Sequence, residues 1–182
     1  MPGMTAQIRN PETGEKLNLH ETGMLWLKGV NIFEEYLGDP KRTAEAVQEG
    51  WLRTGDLGRF DEDGFLYIEG RISRFSKIGG EMIPHETVEV AICTALQISG
   101  EERVIVVTGV PDESKGESLV LVTSRDLELS VLRAKLASDG LPNLWIPRKM
   151  ARVPEIPHLA SGKLDLQKIQ TLAIESTRSA GA

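Results

Sequence analysis

An α+β fold is predicted for this 182-residue chain from three observations. In the first seventy residues, apolar runs such as "TGMLWLKG" and "GFLYIEG" alternate with Gly, Asp and Asn clusters, the pattern of antiparallel strands and turns. Further on, Val88, Ala91, Ile92, Ala95 and Leu96 recur at i, i+3, i+4, i+7 and i+8, one apolar stripe of a helix. Beyond them, "RVIVVTGV" and "ESLVLVT" are continuous apolar strands joined by the turn "PDESKG".

Taken in order, the elements follow from local chemistry. A short helix near Asp39 to Gln48 interrupts the first β region, because Asp39 can cap it and Pro40 suits its first turn. "DEDG", between Phe60 and Phe65, is a four-residue hairpin connection in which Gly64 is free to take positive φ. The pattern breaks near residues 70 to 74. "RFSKIGGEMI" then reads as a second hairpin closed by Gly79 and Gly80, with the striped helix directly after it. A helix from about Leu129 to Ser138 presents Leu129, Leu132 and Leu136, and Gly140 is placed to end it. Pro142, Pro147, Pro154 and Pro157 then hold the chain extended. Asp165 caps a last helix carrying Leu166, Ile169 and Leu172.

Composition narrows the function classes. Acidic residues outnumber basic ones 27 to 21, and a formal charge of −6 argues against a nucleic-acid footprint. The 40% apolar content supports a packed core. Cys93 has no internal disulfide partner, and its apolar flanks read as those of a buried, inert thiol. No apolar run approaches the ~20 residues that cross a bilayer, and the start of the chain lacks a signal-peptide core. The expectation is a cytoplasmic protein. Trp26, Trp51 and Trp145 read as core anchors, and His20, His85 and His158 lack metal-ligand spacing; no metal site is expected.

Chemistry can sit in a few places. Asp56, flanked by Gly55 and Gly58 in "TGDLG", is either a turn aspartate bonding its own backbone or a carboxylate presented to a ribose diol. Arg71 ends the same run and can fork onto hydroxyl or phosphate oxygens, or simply form a surface ion pair. Gly79 and Gly80 make a turn, and also a side-chain-free wall beside which a narrow ligand could pass. Lys163 follows Gly162 in "LASGKLD". Leu164 comes next, so the run is not a phosphate-cradling loop, which needs Ser or Thr there and a further upstream glycine.

Four stretches in order, "GMLWLKGVNIFEEYLGD", "GWLRTGDLGRFDEDGFLYIEGR", "GVPDESKGESLVLV" and "PEIPHLASGKLD", resemble the AMP-forming acyl and aryl synthetase superfamily. That superfamily includes acyl-CoA synthetases, nonribosomal peptide adenylation domains and firefly luciferase. Within it, "RFSKIGGEMI" is most similar to the acyl-[acyl-carrier-protein] synthetase half of the bifunctional 2-acylglycerophosphoethanolamine acyltransferases.

The resemblance implies that residues 1–72 are the distal β-rich end of a large N-terminal domain and residues 73–182 a small mobile C-terminal domain. It puts the ribose-binding aspartate at Asp56, the nucleotide-contacting arginine at Arg71, the hinge at Ser73, the pantetheine-tunnel loop at Gly79 and Gly80, and the catalytic lysine at Lys163. The substrates it implies are ATP with Mg2+, a fatty acid, and acyl carrier protein or CoA. The phosphate loop and acyl pocket are expected on the N-terminal adenylation domain, which this sequence does not contain, so the chain alone is expected to bind no nucleotide and to be inactive. A full-length protein attached to the inner membrane is compatible with this reading. Ser73 departs from the usual Asp or Lys of the family hinge, and Leu159 stands where Thr is usual. A carrier-protein docking module without chemistry of its own is the rival reading.

Overall fold

The structure, a computed structural model of the chain, describes residues 3–100 and 103–179. The chain falls into two compact units, one up to Ile72 and one from Ser73 onward. The α+β class holds in both.

The first unit is an antiparallel sheet of β1 (Met4–Arg9), β2 (Gly23–Gly29), β3 (Val47–Gln48), β4 (Trp51–Phe60) and β5 (Leu66–Arg71), with one helix, α1 (Pro40–Ala46). Its order is β1-β2-β4, and β3 and β5 share the far edge of β4, each pairing a different half of that long strand. The β4–β5 turn forms as expected: Asp61 Oδ1 accepts the backbone N–H of Asp63 and of Phe65, at 3.1 and 2.8 Å. Asp39 Oδ1 caps α1 by accepting from the Arg42 N–H at 2.9 Å.

Two expectations change in this unit. Strand β1 carries little sequence signature, because "MTAQIR" is half polar and only one of its residues, Ile8, is fully buried. Helix α1 stops at Ala46, not Gln48. Val47 turns extended there, and Glu49 and Gly50, both at positive φ (52° and 77°), make the type I′ turn that sends the chain from β3 into β4.

In the second unit a short 3₁₀ turn (Ile72–Arg74) leads into β6 (Phe75–Ile78) and β7 (Glu81–Pro84), then α2 (His85–Ala95). The hairpin of β8 (Ile105–Asp112) and β9 (Gly116–Thr123) is its centre, followed by α3 (Leu129–Ser138), β10 (Lys149–Arg152) and α4 (Leu166–Ser179). Along the edge of β9 away from β8, β6 pairs antiparallel at Gly116 and β10 pairs parallel from Val120 to Thr123.

Alternate residues of the central hairpin feed two apolar clusters. Ile105, Val107, Leu119 and Leu121 pack with Val88 and Ile92 of α2 and Leu132 and Leu136 of α3. Val106, Val110, Val120 and Val122 pack with Ile169 and Ala173 of α4. Helices thus cover both faces, which is why these two strands are apolar throughout. Helix α3 ends in a Schellman motif: Gly140, at φ 88°, donates to Ala137 O at 3.1 Å, and Leu141 donates to Leu136 O at 3.0 Å.

Three further readings need correction. The proline-rich stretch is extended, but residues 149–152 between Pro147 and Pro154 form a true strand by borrowing the free edge of β9. Cys93 is half-buried, not buried, and desolvation followed by the Glu89 charge raises its thiol pKa, so the thiol stays protonated and unreactive. Of the three tryptophans only Trp26 is buried; Trp51 is partly covered by the guanidinium of Arg9, 4.9 Å from its ring centroid, and Trp145 lies at the rim of the first apolar cluster.

Candidate functional site

In the first unit, strand pairing builds the acidic-basic pair. Asp56 and Arg71 are direct cross-strand partners on β4 and β5, and Arg71 Nε lies 3.2 Å from Asp56 Oδ1. Arg71 Nη2 also donates to the Thr54 carbonyl at 3.1 Å. Gly55, at φ 76°, turns the backbone sharply between Thr54 and Asp56. Thr54 then accepts the Asp56 N–H on its hydroxyl at 3.0 Å and donates that hydroxyl to the Leu25 carbonyl at 2.9 Å. Thr54 therefore orients Asp56, a part that sequence reading passed over although the residue stands two positions upstream. The Asp56 side chain is one-third exposed, so the carboxylate is braced yet reachable.

Lys163 leaves a tight turn in the second unit. Gly162 N–H donates to Leu159 O at 2.9 Å and Leu159 N–H to Lys163 O at 2.8 Å. Gly162, at φ 80°, supplies the left-handed residue that this three-residue connection needs. His158 and Leu164 form a bridge just outside it. Asp165 closes the segment, donating its N–H to Pro157 O at 3.0 Å and capping α4 by accepting from the Lys168 N–H at 3.0 Å. The backbone beneath Lys163 is thus pinned on both sides while the side chain is exposed. No ion pair involving it occurs among the described residues.

Gly79 and Gly80 form the β6–β7 turn at φ 59° and 92°, and Gly79 N–H donates to Lys115 O at 3.1 Å. A Cβ at Gly80 would meet nothing within 4 Å, and one at Gly79 only Leu144 at 3.8 Å. The turn is therefore bare and open on its outer side. It lies on a different loop of the unit from Lys163. Ser73 is exposed, in the 3₁₀ turn that opens the second unit.

Of the histidines, His85 is the one in an unusual place. It is buried at the start of α2, its Nε2 lies 2.9 Å from Ser76 Oγ, and its Nδ1 has no partner. Desolvation, followed by the nearby Arg74 cation, lowers its pKa from 6.5 to about 3, so it is neutral. Among the described residues no group of three or more His, Cys, Asp or Glu side chains is placed to hold a metal ion.

No family model matches the chain. Among curated proteins it is similar to a probable CoA ligase of Humulus lupulus, 35% identical over 178 residues that cover 93% of this chain and 31% of that protein. It is also similar to the long-chain-fatty-acid–CoA ligase of Bacillus subtilis, 34% identical over 171 residues, covering 90% and 29%. Among solved structures, ATP-bound MatB from Rhodopseudomonas palustris matches with a TM-score of 0.72 at 28% identity, covering 94% of this chain and 34% of that one. The chain therefore spans about a third of the length of the relatives it matches.

Proposed function

The chain is the C-terminal portion of a member of the AMP-forming acyl-CoA ligase superfamily, and from that premise we propose that it serves the two half-reactions of an acid–thiol ligase. In the first, a carboxylate oxygen bonds to the α-phosphorus of ATP and the bond to the β-phosphate oxygen breaks, releasing pyrophosphate. In the second, a thiol sulfur bonds to the acyl carbon, the acyl–phosphate bond breaks, AMP leaves and the thiol proton passes to solvent.

Both reactants of the first step are anions, so charge accumulates between them as they approach. Lys163 supplies a compact ammonium there and lowers the barrier electrostatically. The observation that carries this is the lysine's setting: an exposed cation, free of ion pairs among the described residues, on a backbone pinned at both ends. Asp56 accepts the ribose hydroxyls, and Arg71, already beside it, forks onto hydroxyl or phosphate oxygens. Mg2+ is proposed to arrive with the ATP phosphates and to be held by residues outside this chain.

The proposed acceptor is the pantetheine thiol of CoA, with the bare Gly79–Gly80 turn lining its path. The names of the relatives support CoA. Acyl carrier protein is a second reading, favoured by the stretch "RFSKIGGEMI", and would point to acyl transfer onto a lysophospholipid. The proposed setting is cytoplasmic, with attachment of the full-length protein to the inner membrane compatible with it. Pyrophosphate exchange by the full-length protein over a panel of carboxylic acids tests the first half-reaction, and thioester formation with CoA against carrier protein tests the second. The chain alone is expected to release no pyrophosphate, because a ribose aspartate and one arginine do not replace a phosphate cradle. Micromolar ATP binding by calorimetry on the 182-residue chain would overturn that. If instead the full-length protein binds carrier protein but exchanges no pyrophosphate with any acid, the chain is a docking module.

A further inference from the structure

Resting on the two-step reading above, we infer that Arg74 is a positioning residue whose buried ion pair with Glu89 fixes the strand that leads into the Gly79–Gly80 turn. Arg74 and Glu89 are only 8% and 7% exposed. Arg74 Nη2 donates to Glu89 Oε1 at 2.6 Å, and its Nη1 donates to the Val107 carbonyl at 3.2 Å. Glu89 Oε1 also accepts the Val107 N–H at 2.7 Å, while Arg103 Nη1 lies 3.6 Å from Glu89 Oε2. One guanidinium thus joins the start of β6 to helix α2 and to the middle of β8.

A buried ion pair is an uneconomical way to gain stability, because desolvating both charges offsets most of their attraction; what it enforces is a single geometry. Here the geometry sits one residue past the division between the units. On the near side of that division, Arg71 is the last residue of β5 and is held against Asp56.

The consequence differs for the two half-reactions. The Gly79–Gly80 turn ends the strand that begins directly after Arg74, so a loosened Arg74 frees that turn. Lys163 is held by its own turn and by α4, which packs on the opposite face of the central hairpin. Thioester formation should therefore depend on the Arg74–Glu89 pair more than adenylation does.

Glu89→Gln removes the buried charge facing Arg74 and leaves only the exposed Glu86 carboxylate, 4.0 Å from Arg74 Nε, while the amide oxygen still accepts the Val107 N–H. In the 182-residue chain, amide exchange over residues 74–78 is expected to be at least tenfold faster than in wild type, with residues 119–122 unchanged. In the full-length protein, thioester formation from supplied acyl-adenylate should fall at least tenfold and pyrophosphate exchange less than twofold. Arg74→Lys, which keeps the cation and loses the fork, should show the same asymmetry at about threefold, and so decides the matter if Glu89→Gln does not fold. Equal losses in both half-reactions, or unaltered exchange over 74–78, would overturn the inference. A wild-type protein that makes no adenylate would sink the two-step reading alone, because the exchange comparison still decides whether the pair fixes the strand.

Discussion

An ammonium held out on a braced turn invites the sharpest test of the proposed chemistry. Lys163→Ala in the full-length protein should lower adenylation about 10²–10³-fold, the size of one preorganised electrostatic contact. Stability should stay within about 0.5 kcal/mol, as for other exposed surface positions. Thioester formation from supplied acyl-adenylate should survive. Adenylate made from acid and ATP at the wild-type rate would reduce Lys163 to a solvated cation. His85 offers a second test, of stability. Its native pKa, about 3, lies below the 6.5 of the unfolded chain, from desolvation first and the Arg74 cation second. The unfolded chain therefore takes up the proton that the native state refuses. The stabilisation is full above pH 6.5 and is lost as pH falls below it, at about 1.4 kcal/mol per pH unit. Urea unfolding of wild type and His85→Gln between pH 7.5 and 5 should show the steeper decline in wild type; parallel curves would contradict this. The turn beneath Lys163 could be read from the sequence because its setting is local, a glycine before it and a capping aspartate two residues after, whereas the part proposed for the lysine itself comes from the resemblance. Arg74 and His85 could not, since only the packing of α2 and β8 around them makes an arginine and a histidine buried groups.

Secondary structure shows the same division between local and distant causes. The β4–β5 turn, the Asp39 cap and the end of α3 rest on contacts within five residues, and each is where sequence chemistry puts it. Strands β3 and β10 have two and four residues and are strands only because β4 and β9 offer them an edge. Gly109 gives the contact-dependent case a number. It lies in the middle of β8 opposite Leu119, and a Cβ there would collide with Ser76 Oγ and meet Glu117 Oε1 at 2.8 Å. Those two side chains hold the start of the second unit, Ser76 through His85 and Glu117 by accepting the Lys77 N–H at 2.6 Å. Gly109→Ala should consequently destabilise the second unit by about 1–3 kcal/mol, the usual cost of overpacking. A urea midpoint shift equivalent to less than about 0.5 kcal/mol would show that the neighbours yield freely.

At the scale of the whole chain, apolar burial is unequal. The second unit covers both faces of its central hairpin, a property visible beforehand in the unbroken apolar runs of "RVIVVTGV" and "ESLVLVT". The first unit buries Ile8, Met24, Leu25, Trp26 and Leu57 and leaves a row of apolar side chains on and before β5 in solvent, Phe65 at 65% and Ile68 at 56% exposure. That row was not legible, because "GFLYIEG" reads the same whether its apolar residues face a core or water. Burial of apolar area is the dominant favourable term in folding, so the units should differ when separated. Residues 73–182 expressed alone should unfold in one cooperative transition and give dispersed amide resonances. Residues 1–72 alone should melt at lower temperature, bind a hydrophobic dye through the β5 row, and associate as concentration rises. Replacing Phe65 and Ile68 with Thr should suppress that dye binding and association without moving the transition of residues 73–182. The burial argument fails if residues 1–72 prove the more stable half, or if 73–182 unfolds without cooperativity.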